Sequence, residues 1–258
     1  MQRATAYAEA LAPVAGCMLE EARIAPGQRV LDVGSGGGDM ALLAAQATGP
    51  SGFVLATDVS REKMAGLATR IGAHRAPRTI EVLESAAEDL ALEPGTFDVA
   101  LARNCVMYFG DLGRALHRIR VALRRGGRFV ASVYGPLERE PFHAIPIAAL
   151  ERRRTLPEPP PEYVQAFRVA ATDVQAALTV AGFTDVRARV IRVQRTYADL
   201  ASMVDQLRAS SSLAELLSAL PADRRGGAWA EIEGGFRRYE GAAGLCIPGE
   251  QAIVVGTA

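Results

Sequence analysis

One short segment restricts the fold more than any other: Val30-Leu31-Asp32-Val33-Gly34-Ser35-Gly36-Gly37-Gly38-Asp39. An apolar run suited to a buried strand meets a glycine-rich turn, and a helical pattern opens directly after it. Glycines let the backbone take conformations closed to other residues, and they bring bare N–H groups up to a ligand. The alternation then repeats. Arg29–Val33, Phe53–Asp58, Thr79–Leu83, Phe97–Ala102 and Arg128–Tyr134 read as buried strands, while Asp39–Ala47, Arg61–Ile71 and Asp111–Leu123 read as amphipathic helices. Strands alternating with helices predict a parallel sheet covered on both faces, with its ligand at the carboxyl edge of the strands.

The loop also says something about that ligand. Its glycines are spaced GxGxG, at Gly34, Gly36 and Gly38; a dinucleotide GxGxxG would need a glycine where Asp39 stands. No GK[ST] follows, so the phosphate-cradling P-loop is absent. Asp32 lies two places before the first glycine, and a carboxylate there favours a cationic ligand over a pyrophosphate. The second strand ends in Asp58, at the spacing of an acidic residue that accepts hydrogen bonds from ribose hydroxyls. Capping of the helix near Arg61 is the structural alternative, a part that Ser60 also suits.

The second half is less regular. Pro157–Pro161 marks a loop. Thr172–Ala181, Leu200–Arg208, Ser212–Leu220 and Asp223–Tyr239 read as helices, Val186–Val193 as a half-exposed strand and Gly249–Gly256 as a last strand. Residues 196–248, lying between two strands, read as an insertion. Acidic and basic residues balance at 29 each, which argues against a general nucleic-acid binder. Three cysteines without a CxxC pair predict neither a disulfide framework nor a zinc site, and suit a cytoplasmic protein. Val14-Ala15-Gly16-Cys17 looks like a lipobox, but Tyr7, Glu9 and Pro13 interrupt the apolar stretch that a signal requires. An N-terminal amphipathic helix, broken near Pro13, is expected instead, with no stable membrane anchor.

Taken together the motifs resemble the class I S-adenosylmethionine-dependent methyltransferases, in the ubiquinone/menaquinone-biosynthesis-like, small-molecule branch. VLDVGSGGGD resembles that family's first motif and ATDVSREKM its second-strand motif. SAAEDLAL (85–92), FDVALARNCVMYFGD and ALRRGGRFVASVYG resemble the segments that follow. The resemblance covers nearly the whole chain. It implies an α/β fold, a Rossmann-like class I methyltransferase sheet of seven strands with the last antiparallel, carrying an inserted helical lid. It implies one methyltransferase domain over 1–258: an N-terminal helical cap (1–28), a cofactor-binding core (29–135) and substrate-binding lid segments (136–170 and 196–248). The implied cofactor is S-adenosyl-L-methionine. Asp32 and the Gly34-Ser35-Gly36 backbone would hold its methionine part, Asp58 and Val59 the ribose. Met64, Ala87 and Glu88 would lie by the adenine and Arg103 near the methionyl end. Ala86 stands where the family usually has an adenine-contacting Asp, and Arg125 where it has a proline.

Acceptor contacts are expected from Tyr7, Asn104, Tyr108, Phe142 and Trp229. His143, just after the fifth strand, and Tyr134 are the catalytic candidates, His143 as general base. A partly exposed helix histidine is the plainer reading. His74 and His117 lie on surfaces away from the strand ends. The expected reaction is methyl transfer to an oxygen or carbon of an apolar polyketide, aromatic or quinone-like molecule, in specialised metabolism, with no metal. The expected protein is a monomer or homodimer that binds no nucleic acid. A methyltransferase fold turned to a non-methylating reaction such as cyclisation is the alternative, as is a nonenzymatic cofactor-binding protein.

Overall fold

The computed structural model describes residues 12–73, 79–153, 164, 166–209, 211–218 and 220–258. Tyr7, His74, Tyr163 and the Pro157–Pro161 loop lie outside the described residues. The chain forms two compact units. The first comprises Val14–Val133, Val169–Val190 and Ala252–Ala258; the second is drawn from Tyr134–Arg168 and Ile191–Gln251.

The first unit carries the alternation seen in the sequence. Helix α1 (Ala12–Ala22) starts beside Pro13, where a missing N–H costs nothing, and buries Val14, Ala15, Met18 and Ala22. Then follow β1 (Arg29–Val33), α2 (Asp39–Thr48), β2 (Phe53–Asp58), α3 (Arg61–Ala73), β3 (Ile80–Glu84), β4 (Phe97–Arg103), α4 (Leu112–Ala122) and β5 (Leu123–Tyr134). Strand β1 lies at the centre of this group, parallel to β2 with Asp32 opposite Ala56, and parallel to β4 with Asp32 opposite Leu101. Both neighbours bury its Val30, Leu31 and Val33, which is why that strand is apolar on both faces. Helix α4 opens on Asp111, whose side chain accepts the N–H of Arg114 at 2.9 Å.

The remaining elements are α5 (Pro141–Glu151), α6 (Ala171–Val180), β6 (Thr184–Tyr197), α7 (Leu200–Ala209), α8 (Ser211–Ser218), α9 (Ala222–Phe236), β7 (Glu240–Gly241) and β8 (Gly244–Thr257). The sheet runs β3-β2-β1-β4-β5-β8-β6, and the two-residue β7 pairs with β8. The last strand is antiparallel to β5. Gly126 N–H donates to Ala258 O at 2.8 Å, and Gly135 N–H donates to Glu250 O at 2.7 Å, so one strand rises as the other falls. The family expectation of seven strands with an antiparallel last one thus holds, with β7 as a short addition.

Several boundaries differ from those expected. Strand β5 starts at Leu123 rather than Arg128, because the Arg124–Gly127 turn is held between Phe97 and the chain end. Strands β6 and β8 are both longer than their sequence signals. The helices expected between β6 and β8 are all present. In the second unit Phe142, Leu150, Tyr197, Met203, Leu207 and Phe236 share a core with Leu213, Leu217 and Ile232. Arg152 and Arg153 tie α5 to α9 through Glu231. No helix among the described residues is long and apolar enough to cross a membrane.

Candidate active site

Strand β1 delivers the chain into the glycine loop at the carboxyl edge of the sheet. Gly34, Gly36 and Gly38 all have left-handed backbone, with φ of 63°, 55° and 82°. Two of them also meet close neighbours. A Cβ on Gly34 would lie 2.7 Å from Cβ of Cys105, and one on Gly38 would overlap the Leu67 side chain. Gly36 is different, since a Cβ there would touch nothing within 4 Å. Packing therefore requires glycine at 34 and 38, whereas Gly36 keeps bare backbone on the open side of the loop.

Beneath this loop sits Asp32, 1% exposed, with neither carboxylate oxygen in a well-formed hydrogen bond among the described residues. Burial pushes its pKa up to about 7, an effect that Arg103 and the Ala41 backbone offset only in part and that Asp58 and Asp39 reinforce. Arg103, at the end of β4, is turned toward Asp39 at 3.6 Å, and Arg70 holds the other side of that carboxylate's pair at 3.0 Å. Arg70 also bonds the Gly37 carbonyl. The loop is thus tied to α2, α3 and β4 by a charged network around a carboxylate that the network leaves unanswered.

Asp58 serves the loop directly. Its Oδ2 accepts the Gly36 N–H and its Oδ1 the Ser60 N–H, each at 2.9 Å. Ser60 Oγ in turn accepts the Lys63 N–H at 3.3 Å, so the helix start uses both residues weighed for it. Lys63, the sole lysine, is exposed on the first turn of α3. Next to it Met64 is buried and Val59 is 69% exposed. Ser35 is buried, and its hydroxyl has no hydrogen-bond partner among the described residues. Ala87 is buried in a single turn of helix after β3. The neighbouring Glu88 accepts the Asp111 N–H at 3.1 Å, which ties that turn to the start of α4.

The turn after β4 carries Asn104 and Cys105. Asn104 has a φ of 50°, unusual outside glycine, and Ser132 holds it there: Ser132 Oγ accepts its backbone N–H at 3.0 Å and donates to its Oδ1 at 2.8 Å. Its Nδ2 is buried without a hydrogen-bond partner among the described residues. Cys105 donates to Val33 O at 3.2 Å, and burial, with Asp32 and Asp58 nearby, pushes its thiol pKa up. It is packing rather than a nucleophile. Tyr108 is exposed on the following turn.

The other expected site residues lie in the second unit. The Tyr134 ring lies 4.8 Å from that of His143 and stacks on Phe167 at 5.0 Å. His143 is buried, not partly exposed, and its Nδ1 lies 3.3 Å from Glu140 Oε2. Burial lowers its pKa, with the Glu140 hydrogen bond opposing. Glu140 is fully enclosed. Arg195 donates to its Oε2 at 3.0 Å and the Glu250 N–H to its Oε1 at 2.9 Å. Burial favours the neutral acid there, but His143 and Arg195 outweigh it and hold Glu140 below the usual carboxylate range. Phe142 packs in the core, parallel to Tyr197 and 5.0 Å under the Arg195 guanidinium. Trp229 packs on the same core beneath Arg208. The sequence reading missed Glu140 and Arg195. Glu140 three places before a histidine at a helix start was the available signal; its Arg195 partner, 55 positions on, had none.

The sequence profile of the methyltransferase domain matches residues 30–127, the stretch that builds the glycine loop, Asp32, Asp58 and Arg103. Nocamycin O-methyltransferase of Saccharothrix syringae is 31% identical over 187 residues, covering 68% of this chain and 66% of that one. The chain belongs to the class I S-adenosylmethionine-dependent methyltransferases. Within the family it is also similar to the ubiquinone/menaquinone biosynthesis C-methyltransferase UbiE of Vibrio vulnificus, at 27% identity over 130 residues, 47% of this chain and 50% of the relative. The chain spans about half to two thirds of the length of these curated relatives. The Rossmann-like fold is shared with a putative methyltransferase from an antibiotic biosynthesis pathway of Anabaena variabilis, at a TM-score of 0.66, 15% identity and coverage of 95% and 97% of the two chains.

The cofactor of this family is S-adenosylmethionine. The residues present fit it. The left-handed glycine loop leaves open space beside Gly36, and the buried carboxylate of Asp32, with no hydrogen-bond partner among the described residues, suits a cation.

Proposed function

We propose that this methyltransferase-family chain moves the methyl of S-adenosylmethionine to an oxygen or carbon of an apolar small molecule. The observation that carries the reading is Asp32: a buried carboxylate with no well-formed hydrogen bond among the described residues, set under the glycine loop, is matched by a cationic ligand. Asp32 and the loop backbone would hold the methionyl part and Asp58 the ribose. Support for a small, apolar acceptor comes from the two relatives, an O-methyltransferase and a ubiquinone/menaquinone-biosynthesis C-methyltransferase.

The cofactor's sulfonium supplies a methyl that is already activated, so what is left to the protein is orientation and removal of the acceptor's proton. His143 is the group we assign to that proton. Burial keeps it neutral at neutral pH, as a base must be.

Calorimetry with S-adenosylmethionine and S-adenosylhomocysteine, followed by labelled-methyl transfer to a phenol, a β-dicarbonyl and a naphthoquinol, tests the proposal. Binding of both cofactor forms and label in at least one of these acceptors is expected. Absence of binding by either form overturns the cofactor assignment. Label appearing only in an aniline or in ribosomal RNA overturns the acceptor assignment.

A further inference from the structure

In the second unit the most completely enclosed charged group is the Glu140 carboxylate, at 0% exposure, and it is fully engaged. One oxygen accepts the Glu250 N–H. The other accepts Arg195 and faces His143 Nδ1. Arg195 is itself buried, stacked on the Phe142 ring and held charged by Glu140 against the cost of burial. A buried pair is weak evidence of stabilisation in itself, because desolvation consumes much of the attraction. This one shows signs of construction. Gly249 lies beside it, and a Cβ there would come within 2.8 Å of Glu140 Oε1 and 3.0 Å of Arg195 Nη1. Glu140 also caps α5, with Pro141 next and the His143 N–H donating to its carbonyl at 2.9 Å. Backbone and side chain of one residue thus set both the position of His143 and the partner of its ring.

We propose that Glu140, clamped by Arg195, is a positioning residue that holds His143 with its proton on Nδ1, which leaves the lone pair on Nε2. Arg195 neutralises the carboxylate's charge enough that Glu140 orients the ring without taking its proton. In the transfer step the acceptor's O–H or acidic C–H bond would break, the proton would join Nε2, and the freed electron pair would form the bond to the methyl carbon as the methyl–sulfur bond breaks and leaves its electrons on the sulfur of S-adenosylhomocysteine. The resulting imidazolium has its Nδ1–H against Glu140, where the positive charge is best placed. Among the described residues, the charged and titratable groups facing the ring include Glu140 at the start of α5, Arg195 on β6 and Tyr134 at the end of β5. This inference deepens the function proposed above and rests on His143 being its base.

Nitrogen-15 spectra of the imidazoles test it, and the chain has only three histidines to assign. At pH 7.5 His143 should be neutral with its proton on Nδ1. A neutral ring with the proton mainly on Nε2, or an imidazolium persisting above pH 6.5, overturns the proposal. Glu140→Gln should move at least a third of the ring to the Nε2–H form and lower the methyl-transfer rate at saturating substrate tenfold or more, leaving S-adenosylhomocysteine affinity within twofold. An unchanged tautomer in a variant that still binds S-adenosylhomocysteine overturns it too. If that variant does not fold, the wild-type spectrum remains decisive. The spectrum requires no acceptor, so it can fail while methyl transfer succeeds, and the reverse.

Discussion

At Asp32 burial and ligand binding pull in opposite directions. Its folded pKa of about 7 lies above the ordinary 3.8, so the folded chain holds a proton that the unfolded chain releases. Below the unfolded value the residue costs nothing. As pH rises toward 7 stability is lost at about 1.4 kcal/mol per pH unit, a total of roughly 4 kcal/mol. Asp32→Asn removes the titration. Urea unfolding without cofactor should therefore show this variant gaining on the wild type from pH 4 to 7, and a constant difference would refute the account. The same carboxylate should bind a cation best when ionised. S-Adenosylmethionine affinity is expected to rise between pH 6 and 8 in the wild type and to stay weak and flat in Asp32→Asn, as calorimetry would show. The gain in stability and the loss in binding would share one cause, a charge held out of water.

At the scale of elements the glycine loop separates packing from binding. Gly38 has φ of 82° and no room beside Leu67, so Gly38→Ala should destabilise the fold by about 2–4 kcal/mol through backbone strain and collision. Gly36 has a similar φ and open surroundings. Gly36→Ala should cost only about 1 kcal/mol of stability, yet weaken S-adenosylhomocysteine binding tenfold or more. Melting curves and calorimetry on the two variants would show the contrast; equal effects on stability would contradict it. Such elements were legible in the sequence because their causes are local. The bounds of β1 and β2 follow from apolar runs ended by Gly34 and by the Asp58-Val59-Ser60 turn. The start of β5 was not legible, since Leu123 pairs with Phe97 and Gly126 and Gly127 bond Ala258, all contacts distant in sequence. Glu140 with Arg195, and Asp58 with the Gly36 N–H, depend on contacts across 55 and 22 positions, which no periodicity encodes. Family motifs located Asp32 and Asp58 but not the burial of the first or the bonds of the second.

At the scale of the whole molecule the boundaries of the two units fall inside strands: β5, β6 and β8 each begin in one unit and end in the other. Scanning calorimetry should give a single transition whose calorimetric and van't Hoff enthalpies agree. Two resolved transitions would show that the units melt independently. Lys63 offers something more practical. It is the only lysine and stands exposed one turn beyond Asp58, so an amine-directed fluorophore will find one side chain to modify. That dye would sit on the first turn of α3, next to the loop expected to receive the cofactor, and would report ligand arrival as a change in its emission.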